Sequence, residues 1–210
     1  MSSRSQVLKN VFITGWLLAL TALLGTGMMA AVNWHSGPYI KNNERETLLR
    51  TLNSVLPEHI YNNDILNDTI DLTDKQYLGS DEPAIIYRAR KGVKPTAAAL
   101  KVVAPNGYSG NIELLVGINY EGNITGVRVV KHKETPGLGD GIEIQRSNWI
   151  DSFTGKSLRT PGQSQWKVKR DGGSFDQFTG ATITPRAVVG AVHKALTFFN
   201  NNRDKIFSAL

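Results

Sequence analysis

Apolar positions along this chain first form one unbroken block and only later settle into periods. Val11 to Val32, VFITGWLLALTALLGTGMMAAV, runs 22 residues without a charge. At about 1.5 Å per residue it makes a helix of about 33 Å, enough for a hydrocarbon core of about 30 Å. The block predicts a transmembrane helix over 11–32. A cleaved leader would carry a shorter apolar run, about 7 to 15 residues, and Ala30-Ala31 is a poor cleavage signal. Next, KNNERETLLRTLNSVLP sets Leu48, Leu52, Val55 and Leu56 on one helical stripe that Pro57 ends. This predicts a juxtamembrane helical segment within 33–75. Trp34 and Tyr39 bracket the expected outer membrane interface.

Further on the period changes to two. Ile85 and Ile86, then Ala98 to Val103, read as short strands broken by a P-N-G turn at Pro105 to Gly107. Ile112, Leu114, Val116, Ile118 and Tyr120 alternate, Glu121 to Asn123 turn, and Ile124 to Lys131 returns, which predicts a hairpin. Ile142, Trp149, Ile150 and Phe153 then recur at helical spacing, with Gly155 as a C-terminal cap. A loop rich in Gly, Lys and Arg follows from Lys156 to Ser174, with Trp166 and Val168 as a candidate further strand. The last helix is expected to take Thr184 as N-cap and Pro185 at its first position, burying Val188, Val192, Ala195, Leu196 and Phe199. The fold class is α+β: a single N-terminal transmembrane helix, then a domain over 76–210 with an antiparallel sheet flanked by helices.

Charge orients this picture. Arg4 and Lys9 precede the apolar block with no acid, whereas Glu44, Arg45 and Glu46 follow it in mixed sign. The positive-inside rule then puts residues 1–10 in the cytoplasm and everything after His35 outside it. The net charge of +6 includes those two cations, leaving 22 basic residues against 18 acidic ones scattered over the exported part. No aromatic-interleaved basic patch is present, so a nucleic-acid partner is not expected.

Composition removes several chemistries. With 40% apolar and 20% charged residues the chain has material for a folded core. Without cysteine it has no disulfide, no thiolate zinc site, no iron–sulfur cluster and no C-x-x-C-H haem attachment. Gly155-Lys156-Ser157 resembles the end of a P-loop, but Ile150 stands where the first glycine belongs. Gly137 and Gly139 begin a dinucleotide fingerprint that fails at Ile142. His35, His59, His132 and His193 lack metal-ligand spacing.

The segment that remains is DQFTGATITP, Asp176 to Pro185. Gly180 and Ala181 allow close approach of the backbone to a ligand, and the helix that follows offers free N–H groups and partial positive charge to a phosphate. On spacing alone this remains compatible with an ordinary turn into a capped helix.

DQFTGATIT, Asp176 to Thr184, resembles the D-x-x-[ST]-G-A-T-x-[ST] flavinylation motif of the flavin-carrying subunits of ion-translocating membrane oxidoreductases. HKETPGLG, His132 to Gly139, resembles their second signature, H-x-E-T-P-G-L-G. The pattern, anchor included, is most similar to the G subunit of the Rnf-type (Rsx-type) complex; the C subunit of the sodium-translocating NADH:quinone reductase is similar but usually longer. Phe178 stands where an aliphatic residue is common. The resemblance implies a bacterial inner-membrane protein with its domain in the periplasm, carrying FMN as a phosphoester on Thr182. It implies a flavin transferase that uses FAD and a divalent cation, because a threonine hydroxyl without an adjacent base is a poor nucleophile. Asp176 and Thr179 would shape the turn or be read by that enzyme, with Gly180, Ala181 and Thr184 completing the seat. Glu134, Thr135, Pro136, Gly137, Leu138 and Gly139 are the candidates for the flavin ring: Thr135 and backbone amides on its polar edge, Pro136 and Leu138 on its face. The implied role is an electron relay among other integral membrane subunits of a complex that couples ferredoxin and nicotinamide redox chemistry to ion movement, with no catalytic residue and no metal of its own. An unflavinylated assembly or binding module and a free-standing flavin reductase are the readings from other classes.

Overall fold

The computed structural model describes residues 2–208. The chain divides into two compact units, Met1–Leu48 and Leu49–Leu210.

Helix α1 (Ser2–Asn53) contains the apolar block. Within it, Leu8–His35 has a mean hydropathy of 1.8 and no buried side chains, so it is long and apolar enough to cross a membrane. The hydroxyls of Thr14, Thr21 and Thr26 donate to the carbonyls of Asn10, Leu18 and Ala22 at 2.9, 3.0 and 2.7 Å. They are therefore satisfied inside the helix, as a hydrocarbon setting requires. Helical backbone continues without a break from the apolar block into the stretch expected as a separate juxtamembrane helix. It ends at Asn53, short of Pro57, where Val55 and Leu56 amides both return to the Leu52 carbonyl.

The second unit is built on a five-stranded antiparallel meander in the order β1 (Thr69–Leu72), β2 (Ala84–Lys91), β3 (Lys94–Gly107), β4 (Gly110–Asn119) and β5 (Ile124–Lys131). Sequence patterning missed β1, which is short and lies in the stretch 33–75 read as helical; the four-residue helix α2 (Lys75–Leu78) follows it. The β4–β5 hairpin is as expected. The P-N-G segment, in contrast, is a bulge inside β3 and not a turn. Pro105 has no N–H for the ladder, the register slips between Ala104 and Gly107, and the chain reverses only at Tyr108-Ser109, between the paired Gly107 and Gly110.

Cross-strand pairs Ala98↔Ile118, Leu100↔Val116, Val102↔Leu114 and Ala104↔Ile112 put one buried side-chain set on a single face of the sheet. There it shares a core with Val188, Val192, Ala195, Leu196 and Phe199 of helix α3 (Ile183–Ser208). At the far end of α3, Arg88 and Arg90 donate to the carbonyls of Ile206 and Phe207, and Asp68 pairs with both guanidinium groups. Two cations thus meet the helix C-terminus, where its partial charge is negative.

The opposite face is closed by the exit from α1. Leu52, Val55 and Leu56 are fully buried. Gly117 and Gly126, paired across β4 and β5, form a notch: a Cβ on Gly117 would lie 2.4 Å from the Val55 carbonyl oxygen, and one on Gly126 would lie 2.9 Å from Val55 Cα. The Thr125 hydroxyl donates to that same carbonyl.

Between β5 and α3 the expected helix over 142–153 is instead two 3₁₀ turns, Asp140–Ile142 and Asn148–Phe153. The strand expected at Trp166–Val168 is absent; only an isolated bridge joins Val168 to Phe175. An aromatic column orders this region in place of backbone ladders. His193 of α3 stacks on Trp166, Trp166 packs on Phe153 and Phe175, Phe153 stacks on Phe175, and Trp149 joins Phe153 to Phe178, with centroids 4.7 to 6.3 Å apart.

Candidate functional site

Two tight turns face each other at the N-terminal end of α3. In the first, Leu138 and Gly139 amides return to the Thr135 carbonyl at 3.1 and 3.0 Å, and Gly137 takes φ +77°. Proline second and positive-φ glycine third is the composition such a turn demands. In the other, the Ala181 amide returns to the Phe178 carbonyl at 3.2 Å around Gly180, whose φ is +80°. A side chain on Gly180 would project to within 3.6 Å of Leu138. Both signature segments therefore line one cavity of about 350 Å³, walled by Glu134, Thr135, Leu138, Gly139, Gly180, Ala181, Thr182 and Thr184.

Thr182, and not Thr184, occupies the helix N-cap position. Its carbonyl accepts the first helical bond, from the Arg186 amide at 3.3 Å, and α3 starts at Ile183. Pro185 sits in the first turn, where its missing N–H leaves no bond unmade because the first four amides of a helix have no partner within it. Thr184 is drawn inward instead: it is 1% exposed and its hydroxyl donates to Glu134 Oε2.

Glu134 likewise faces the frame of the site. Only 4% exposed, it accepts from the Thr184 hydroxyl, from the Ser109 amide at 2.8 Å and from the Tyr108 amide at 3.3 Å. One carboxylate thereby ties the β3–β4 tip, the Thr135–Gly139 loop and the first turn of α3 together, with three donors from the frame on its two oxygens. Gly139 must be glycine for this, since a Cβ there would lie 2.9 Å from Glu134 Cβ. The Glu134 amide donates to His132 Nδ1 at 3.0 Å, so the other ring nitrogen, Nε2, carries the proton shared with Glu143 Oε1 at 2.6 Å.

Four of the sequence-selected residues stand outside the cavity wall. Pro136 and Gly137 form the back of their turn and are exposed, as is Thr179 in the facing turn. Asp176 pairs with Lys169 at 2.6 Å, and its carbonyl accepts from Trp149 Nε1 at 2.8 Å. Phe178 fills the space above Gly141, where a Cβ would come within 3.0 Å of its ring, which accounts for an aromatic at that position. Sequence reasoning missed Tyr108 and Ile183, which complete the wall at 69% and 45% exposure. For Tyr108 the signal was an aromatic directly after the P-N-G segment, in a polar, glycine-rich stretch where burial gives it no reason to be. It also missed Arg170, whose Nη1 lies 3.5 Å from Thr182 Oγ1. Beside it, Arg186 grips Asp171 through two hydrogen bonds of 2.6 and 2.8 Å, which hold that carboxyl below the usual carboxylate range.

Among known families, the FMN-binding domain matches residues 107–197, which includes all of the cavity wall, and the RnfG N-terminal region matches residues 1–55. A protein of Shewanella baltica, named as the G subunit of the ion-translocating oxidoreductase complex, is 49% identical over 96% of this chain and 95% of its own length. This chain belongs to that G-subunit family. Proteins of the same name from Shewanella oneidensis and Pseudomonas aeruginosa are each 46% identical, over 92% and 99% of this chain and 92% and 95% of their own lengths. With the apolar stretch Leu8–His35, membership makes this a membrane-anchored protein with an FMN-binding domain.

The cavity suits such a ligand on its own chemistry. Its volume falls at the lower end of the roughly 300 to 1,000 Å³ of small-molecule sites. Leu138 and Tyr108 offer apolar and aromatic surface at the rim, and a hydroxyl, a guanidinium and a helix N-terminus converge at one end. Among the described residues no cluster of His, Asp or Glu is arranged to hold a metal ion.

Proposed function

We propose that this chain is the electron-transfer subunit of an ion-translocating oxidoreductase complex, carrying FMN as a phosphoester on Thr182. The observation that carries the reading is the meeting of both signature turns in one cavity, with the Thr182 hydroxyl on its wall at the N-cap of a 26-residue helix. There the helix dipole and the unbonded first-turn amides favour a fixed negative charge. When bound, FMN supplies one- or two-electron redox chemistry. Thr182 would hold the phosphate end, Gly180 would admit the cofactor close to the backbone, Gly139 leaves room for the Glu134 side chain that braces the wall, and Leu138 and Tyr108 would give the ring apolar cover. Glu134 keeps the three walls in register. Pro136, Gly137, Asp176 and Thr179 serve by building and bracing the two turns.

Attachment is the work of a separate flavin transferase acting on FAD, since a threonine hydroxyl without an adjacent base in the sequence is a poor nucleophile. We assign residues 1–10 to the cytoplasm, 11–32 to the bacterial inner membrane, 33–75 to the juxtamembrane segment and 76–210 to the periplasm, following the positive-inside asymmetry of Arg4 and Lys9. A covalent bond suits that side of the membrane, where a lost flavin is not replaced. Electrons reach the site from cofactors of partner subunits, because the chain carries no dinucleotide fingerprint. The deciding experiment is peptide mass spectrometry of protein from cells with an active transferase. Expected is a Thr182 peptide heavier by FMN less one water, with flavin fluorescence that survives SDS; Thr182→Ala abolishes both. A bare Thr182 in such cells sinks the reading.

A further inference from the structure

The 3₁₀ turn Lys169–Asp171 lies in the basic loop that sequence patterning left without a role. Each of its three residues bonds to a different part of the attachment turn or its helix. Lys169 pairs with Asp176 at 2.6 Å. The Arg170 amide donates to Gln177 Oε1 at 3.2 Å, and its guanidinium donates to Thr182 Oγ1 at 3.5 Å. Asp171 takes both hydrogen bonds from Arg186. The turn is locked behind by Gly172, with φ +80°, and by Gly173, where any side chain would overlap the Lys167 carbonyl. A solvated basic loop has no need of three consecutive ties to one short segment. Because Arg186 commits its donor fork to Asp171, Arg170 is left as the guanidinium that faces Thr182.

Resting on the assignment of Thr182 as the attachment point, we propose that Arg170 is a positioning residue for the phosphoryl group, during attachment and afterwards. In the step it serves, Thr182 Oγ forms a bond to the phosphorus of the FMN half of FAD. The phosphoanhydride bond breaks, AMP leaves with that bond's electron pair, and the hydroxyl proton passes to a base of the transferase or to water. Negative charge sits on the phosphoryl oxygens throughout. A planar guanidinium beside the attacking oxygen can donate to two of them at once, which an ammonium cannot do with the same geometry.

The test incubates the full-length chain with transferase, FAD and magnesium, and follows adduct formation by intact mass. Arg170→Ala is expected to slow the adduct by roughly tenfold or more, while Arg170→Lys recovers part of the rate and free guanidinium in the buffer accelerates the alanine variant. Unmodified Arg170→Ala is expected to melt with the wild type, since the side chain is exposed. An alanine variant labelled at the wild-type rate overturns the proposal. So does a slow variant that neither lysine nor guanidinium improves, or one that melts early, because the turn would then act through the fold. A wild-type chain that gains no adduct on Thr182 overturns the attachment assignment instead.

Discussion

Thr184 turns its hydroxyl inward to Glu134, two positions past the residue read as the attachment point, and this separates two roles that look alike in the sequence. Thr184→Val keeps the shape but leaves a buried carboxylate short of one donor. A loss of about 1–3 kcal/mol is expected, measured by urea denaturation, with FMN still found on Thr182. His193 couples mild acidity to the stability of the fold. It stacks on Trp166, its Nε2 is buried with no hydrogen-bond partner among the described residues, and burial pushes its pKa below 6.5. Above that pH both folded and unfolded chains hold a neutral ring, and the residue contributes nothing to pH dependence. As pH falls below it, the unfolded chain takes up the proton first, so stability declines until the folded ring protonates as well. Melting temperatures recorded from about pH 8 to pH 5 should fall over the acid part of that range, and His193→Gln should flatten the decline.

At the scale of elements, glycines with different surroundings predict opposite outcomes. Gly117→Ala or Gly126→Ala drives a Cβ into the Val55 backbone and should cost about 1–3 kcal/mol through overpacking. Gly190, inside α3, has no neighbour within 4 Å of the place a Cβ would occupy. Gly190→Ala should therefore stabilise by about 0.4–1 kcal/mol, chiefly by restricting the unfolded chain. Chemical denaturation of the three variants checks both signs, and a uniform response would mean that the notch does not exist in solution.

For the molecule as a whole, the second unit starts at Leu49, before the last turn of α1 is complete. A chain cut to begin at Leu49 keeps Leu52, Val55 and Leu56 and should unfold cooperatively as a soluble domain. A chain beginning at Glu58 loses three fully buried side chains. At about 1.5–3 kcal/mol each the loss approaches the whole stability of a domain, about 5–15 kcal/mol. That fragment should show no cooperative melt by circular dichroism.

The anchor, the β4–β5 hairpin and the buried stripe of α3 were legible from residue order alone, and the two signature segments from their resemblance to a known family. The first three rest on local rules: an apolar run long enough for a bilayer, side chains alternating across a pleat, or apolar residues recurring every third or fourth position. β1, the bulge at Pro105, the 3₁₀ turns and the aromatic column were not legible, because their stability comes from partners distant in the chain. The same holds within the site. The motifs named the two segments, but only folding brought the Tyr108 tip, Glu134 and Thr184 to a shared carboxylate, and only folding set Arg170 against Thr182. The residue order determined which groups were available for chemistry. The tertiary structure decided which of them face the cavity and which are used up in holding it, because a buried carboxylate must satisfy its lone pairs with whatever donors the fold delivers.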